Sequence, residues 1–276
     1  MRLEDGQVAV VTGGASGIGL GMAKHFASKG LRLVLADIEV AALDAAVTEL
    51  SDAGADVVGV QTDVSNADQV ATLADRAYER FGAVNVLCNN AGVVNRGTVW
   101  ELSLADWEWV IGVDLWSVIH GAREFVPRML EGGEPGHVVN TASMAGLLSF
   151  PNIAPYDVAK SGVVALSEAL SHDLRRRNAS IGVSVLCPGL VATRIGASDR
   201  NRPGAEPTGP PSAPAPISTR HPDAKTMQPA QVAQHVADAI ESDQFWILTH
   251  PAYDDYITRR AAGILDRRTV IEPQPL

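Results

Sequence analysis

What most constrains this chain is a rhythm. Short apolar runs of β type, QVAVVTG, LRLVLAD, DVVGVQTD, VNVLCNNAG, GHVVNTAS and GVSVLCPG, with a weaker QFWILTH near the end, alternate with stretches of helical periodicity. Residues 17–29, 40–52, 66–81, 104–130, 156–177 and 229–241 carry apolar side chains at three- and four-residue spacing, predicting helices. Strands that are apolar throughout, not on alternate positions, are buried on both faces. The pattern therefore predicts an α/β fold: one doubly wound parallel sheet between two helical layers, spanning residues 1–276 as a single domain. Residues 196–228 break the rhythm, being rich in proline and poor in large apolar side chains. They are expected to form a mobile surface loop inserted into the domain, serving as a lid over the substrate.

Composition narrows the function. At 46% hydrophobic residues the 276-residue chain has ample material for a core, and a net charge of −10 argues against a general nucleic-acid binder. No apolar run approaches the roughly 20 residues that cross a bilayer, and the start, MRLEDGQVAVV, lacks a signal peptide's order, so a soluble cytoplasmic protein without membrane partners is expected. Cys88 and Cys187 lie inside apolar runs without a CxxC or Cys/His cluster, which predicts buried free thiols and no metal site.

The first strand ends in TGGASGIG, residues 12–19, and passes directly into a helix. Glycines at 13, 17 and 19 permit a tight turn, close approach of a pyrophosphate and close helix packing, and the helix N-terminus attracts negative charge. The second strand ends at Asp37, where a dinucleotide fold places an acid on the ribose 2′-hydroxyl. That carboxylate repels the 2′-phosphate of NADP, and neither the adjacent Ile38 nor the glycine turn offers an offsetting cation. NAD is expected, with NADP the disfavoured alternative; a purely structural role for Asp37, capping the next helix, stays open.

In APYDVAKSG, residues 154–162, Tyr156 and Lys160 stand four apart, on one face of a predicted helix. A nearby ammonium favours phenolate, so a lowered tyrosine pKa is expected. Taken in order, TGGASGIG, Asp37, Asp63-Val64, NNAG at 89–92, Ser143, YDVAK and Cys187-Pro188-Gly189 resemble the single-domain subclass of the short-chain dehydrogenase/reductase family, a Rossmann-like fold, over residues 7–195. The resemblance implies an NAD-dependent interconversion of a secondary alcohol and a ketone. Tyr156 serves as acid/base, Ser143 holds the substrate oxygen, and Lys160 bonds the nicotinamide ribose. It places Gly13, Ser16, Gly17, Ile18, Gly19, Asp37, Ile38, Asp63, Val64, Asn90, Ala91, Gly92, Tyr156, Lys160, Pro188, Gly189, Val191 and Thr193 around the cofactor.

One position departs from the family pattern. Asp114 stands where an asparagine is usual as fourth catalytic member, acting through its backbone carbonyl on a water that reaches the lysine. A buried carboxylate there keeps Lys160 protonated and partly cancels its charge; alternatively Asp114 bonds to neighbouring backbone or faces a polar pocket. Met144, Leu147, Leu148, Ile153 and Leu190 are expected to form an apolar substrate wall with Ser143 and Tyr156 at its reactive end, or else core and subunit interface. His250 is assigned a structural or surface role. Trp100, Trp107, Trp109 and Trp116 are expected to be buried against something sizeable, and the resemblance implies a homodimer or homotetramer. Two other classes stay open: a catalytically weakened dinucleotide-binding protein, and a lyase or epimerase on the same fold.

Overall fold

Continuous apolar strands stack into one sheet because each can be covered on both sides. Strands β1 (Val8–Thr12), β2 (Arg32–Asp37), β3 (Val57–Gln61), β4 (Val86–Asn89), β5 (Gly136–Thr141), β6 (Ile181–Cys187) and β7 (Trp246–Leu248) lie in the order β3-β2-β1-β4-β5-β6-β7, every pairing parallel. This is a computed structural model, and it describes residues 1–204, 225–268 and 270. Register follows the side-chain period of two: Val10 of β1 stands beside Val34 on one side and Leu87 on the other.

The helices are α1 (Gly17–Ser28), α2 (Val40–Asp52), α3 (Ala67–Phe81), α4 (Leu104–Ile111), α5 (Ser117–Gly132), α6 (Ala154–Arg176), α7 (Pro229–Ser242) and α8 (Asp254–Leu265). Ala9, Val11, Leu33 and Leu35 pack on one face with Met22 and Phe26 of α1 and Val232, Val236 and Ile240 of α7. The intervening Val8, Val10 and Val34 pack on the other with Leu73 of α3, Phe125 of α5 and Leu174 of α6. Truncating a fully buried ring such as Phe26 to alanine costs about 3–5 kcal/mol. Cys88 and Cys187 are buried free thiols, as expected.

Three expectations change. The single helix expected over 104–130 is two helices joined by a π-helical turn, Gly112–Trp116, which widens the spiral at Asp114. The expected loop over 196–228 begins instead as a 3-10 segment, Ile195–Asn201; its residues 205–224 lie outside the described residues. Helix α8 follows β7 without having been expected, because its sequence, DDYITRRAAGIL, offers few apolar positions.

Candidate active site

Strands β1 and β4 are neighbours in space although β2 and β3 lie between them in sequence, so their carboxyl ends open a crevice where the chain direction across the sheet reverses. A cavity of about 650 Å³ runs along it. Gly13, Ser16, Gly17 and Ile18 line it, as do Asp37, Ile38, Asp63 and Val64 and, from later segments, Asn90, Ala91, Gly92, Pro188, Gly189, Val191 and Thr193. Gly13 and Gly17 have φ of +63° and +52°, and a Cβ on Gly13 would stand 2.9 Å from Ala91 Cα. Ser16 does not cap α1 with its side chain, which leaves the helix's first amides toward the cleft. A glycine cradle that side chains would fill, under an uncapped helix N-terminus, fits the pyrophosphate of a dinucleotide. Gly19 does not line the cavity; its Cβ would meet the Gly13 carbonyl oxygen at 2.1 Å, which suits the close helix packing expected of these glycines.

Asp37 accepts the Ala15 N–H on Oδ2 and the Glu39 N–H on Oδ1, both at 3.1 Å, which ties the end of β2 to the glycine turn. Asp63 accepts the Ser65 N–H and hydroxyl at 3.0 and 2.6 Å. Asn90 donates to the Thr12 carbonyl at 2.9 Å, and its N–H donates to Thr12 Oγ1 at 2.8 Å. Asn89 starts a buried polar chain, donating to Asn140 Oδ1 at 2.9 Å, and Asn140 in turn donates to Ser167 of α6 at 3.0 Å. That chain fixes α6 against the centre of the sheet.

Helix α6 carries Tyr156 and Lys160 on one face, and Ser143 follows β5; all three line the cavity. Lys160 is buried, with its Nζ donating to the Thr141 carbonyl at 3.0 Å and facing Asp114 Oδ2 at 3.0 Å. Asp114 is fully buried and accepts the Val93 N–H on Oδ1 at 2.8 Å, so it both pairs with the lysine and bonds to backbone. The π-turn brings it there, and Leu115 of that turn fills the space over Gly162, where a Cβ would be 2.9 Å away. Lys160 Nζ stands 5.5 Å from the Tyr156 ring centroid.

The chain's own groups, before any contribution from a bound cofactor's positive ring, act on the Tyr156 phenol in the direction opposite to the lowering expected with that ring in place. Burial first, then the Asp114 charge and more weakly that of Asp157, push its phenol upward, while the adjoining Ser143 hydroxyl acts the other way. Lys160, the cation of the i, i+4 pair, faces the Asp114 carboxylate at 3.0 Å. Burial likewise pushes Asp114 up, opposed by Lys160 and the Val93 N–H. Asp157 is raised to about 7 by burial, although it accepts the Phe150 N–H.

On the substrate side Met144, Ile153 and Leu190 line the cavity, but Leu147 and Leu148 do not; Leu148 is buried in the core beneath. Trp109, Phe150, Ile195 and Tyr253 complete the apolar wall, unforeseen because each comes from a different element. Of the four tryptophans only Trp109 is buried: Trp100 is 83% exposed and Trp116 50%, the latter stacked on His120. His250 is buried under the Pro188-Gly189 turn, where the Gly189 N–H donates to its Nδ1 at 3.1 Å and its Nε2 therefore donates to the Leu190 carbonyl at 3.1 Å. It has the structural role expected of it.

The chain matches the sequence model described as short chain dehydrogenase over residues 7–204, and it belongs to the short-chain dehydrogenase/reductase family of oxidoreductases acting on CH–OH groups with a nicotinamide dinucleotide. It is similar to a solved short chain dehydrogenase/reductase from Burkholderia phymatum in complex with NAD, at 43% identity, TM-score 0.92 and full coverage of both chains. A "CLA biosynthesis dehydrogenase/reductase" of Lactiplantibacillus plantarum is 33% identical over 94% of this chain and 93% of its own. The 1-deoxy-11-beta-hydroxypentalenate dehydrogenase of Streptomyces avermitilis is 37% identical over 88% of this chain and 84% of its own. Among the described residues, no helix is long and apolar enough to cross a membrane, and no cluster of potential metal ligands is present.

Proposed function

We propose that this chain is an NAD-dependent enzyme interconverting an apolar secondary alcohol and its ketone. The observation that carries the reading is the convergence of Ser143, Tyr156 and Lys160 on one cavity that also contains the glycine cradle. The oxidised cofactor, when bound, supplies the hydride acceptor and a positive charge. Gly13, Ser16, Gly17 and Ile18 hold its pyrophosphate, Asp37 its adenosine ribose, and Lys160 its nicotinamide ribose. Ser143 positions the substrate hydroxyl and Tyr156 removes its proton; in the reverse direction Tyr156 returns a proton to the carbonyl oxygen. Such general acid/base work contributes roughly 10²- to 10⁴-fold. The apolar wall excludes water from the reacting carbon.

NAD is favoured over NADP because Asp37 and Glu39 both bring negative charge to the ribose end, and the nearest cations, Arg194 and Arg200, are paired with Glu39 at 3.5 and 2.7 Å. Assembly as a homodimer or homotetramer suits the exposed Trp100, Leu104, Trp116 and Val158 on and beside α4, α5 and α6. Absorbance of reduced nicotinamide, followed with a panel of secondary alcohols and either dinucleotide, tests the reading. Turnover with NAD that falls at least about 100-fold in Tyr156→Phe is expected. Undiminished turnover in that variant would overturn the role of Tyr156, and signal with NADP alone would overturn that of Asp37.

A further inference from the structure

The charges around the cavity are unevenly matched. Lys160, Arg96, Arg194, Arg200 and Arg202 all line it. Among the described residues Lys160 faces Asp114, Arg194 and Arg200 face Glu39, and Arg202 meets Asp106 at 2.5 Å. Arg96 has no acidic or hydrogen-bonding partner among the described residues, and it is exposed. A cation that lines a cavity and is also open to solvent marks the cavity's mouth.

Its backbone is held on both sides. The Val94 N–H donates to Ser198 Oγ at 3.2 Å and the Gly97 N–H to the Asn152 carbonyl at 3.0 Å, so residue 96 projects from an anchored strip. Val94, Trp109, Phe150 and Ile153 line the same cavity as this guanidinium and the hydroxyls of Ser143 and Tyr156. The cavity thus combines two reactive hydroxyls, an apolar wall and one solvent-exposed cation that no acid among the described residues meets.

We propose that Arg96 receives a carboxylate on the substrate, so that the preferred substrates are amphipathic hydroxy or oxo acids whose reacting carbon lies deep and whose acid group lies at the mouth. This rests on the alcohol/ketone reading above. A planar guanidinium presents paired donors that match a carboxylate. One cation without help suits a single negative charge better than a phosphate monoester, which carries nearly two.

The test is calorimetric titration of the full chain, saturated with NAD, with octanoate and with methyl octanoate. Octanoate is expected to bind about three- to tenfold more tightly than the ester, a modest factor because the pair is solvent-exposed. Arg96→Gln is expected to abolish the preference while leaving ester and NAD affinities unchanged, and Arg96→Lys to restore part of it. Equal binding of acid and ester by the unaltered protein, or equal weakening of both by Arg96→Gln, would overturn the proposal. Alcohol oxidation is measured separately, so a chain inactive on every alcohol would sink the oxidoreductase reading while the acid preference still reported on Arg96.

Discussion

Lys160 Nζ and Asp114 Oδ2 stand 3.0 Å apart, with side-chain exposures of 2% and 0%. A pair this deep is held by its geometry: separating it leaves an uncompensated charge in a medium that cannot solvate it, at a cost of about 3–5 kcal/mol. The carboxylate also lies where it acts on the phenol of Tyr156, opposing the ionisation that alcohol oxidation requires.

Asp114→Asn removes that opposition while keeping an oxygen able to accept the Val93 N–H. The rising limb of the oxidation rate against pH is expected to move down by about one to three pH units. A pH profile of kcat/KM checks it, with a thermal melt as control for folding. An unmoved limb would show that the Asp114 charge does not reach the reacting oxygen.

Asp157 should make stability depend on pH. Its folded-state pKa, about 7, lies above the ordinary 3.8, so its contribution is fully present below 3.8 and is lost as pH rises through about 7. The loss is at most about 4 kcal/mol, and solvent screening at this partly open site makes it smaller. Asp157→Asn is expected to flatten the decline in denaturation midpoint between those two pH values, as urea titrations at several pH values would reveal. A slope equal to that of the unaltered chain would contradict it.

Glu39 and Arg200 form a strap from the start of α2 to the Ile195–Asn201 segment, with Arg200 donating from Nε and Nη2 at 3.0 and 2.7 Å and Asn201 adding a bond at 3.1 Å. Burial alone would raise the Glu39 pKa, but the bonds from Arg200 and Asn201 and the arginine charges lower it. Glu39→Gln is expected to speed NADH dissociation severalfold in stopped-flow fluorescence, by loosening the cover of the cleft. An unchanged off-rate would mean that the strap does not retain the cofactor.

His250→Ala removes an acceptor for Gly189 and a donor to Leu190, and each lost bond costs about 1–3 kcal/mol where it leaves a buried group unpaired. Weaker NAD binding and a lower melting temperature are expected, with the pH limbs of turnover in place. A displaced limb would instead make His250 a participant in proton transfer.

Much of this was legible in the chain itself. Runs such as LRLVLAD announce doubly covered strands, and the four-residue step from Tyr156 to Lys160 needs only helix geometry to bring both to one face. What stayed hidden depends on contacts between distant segments. Nothing local shows that the Thr141 carbonyl receives Lys160, because every residue has a carbonyl, or that Arg200 reaches Glu39 across 161 positions. The π-turn was equally silent: one widened turn leaves the apolar periodicity on either side nearly intact. For Tyr156 the i, i+4 argument counts the cation and omits both the burial of the phenol and the Asp114 anion beside it.

The strip from Val93 to Gly97 is fastened by Asp114, by Ser198 and by the Asn152 carbonyl, three attachments from three separate segments. For protein engineering this ranks the positions. Altering Val93 or Val94 is expected to loosen that strip, whereas Phe150 and Ile195, which line the cavity from outside it, are the places to begin when reshaping the cavity.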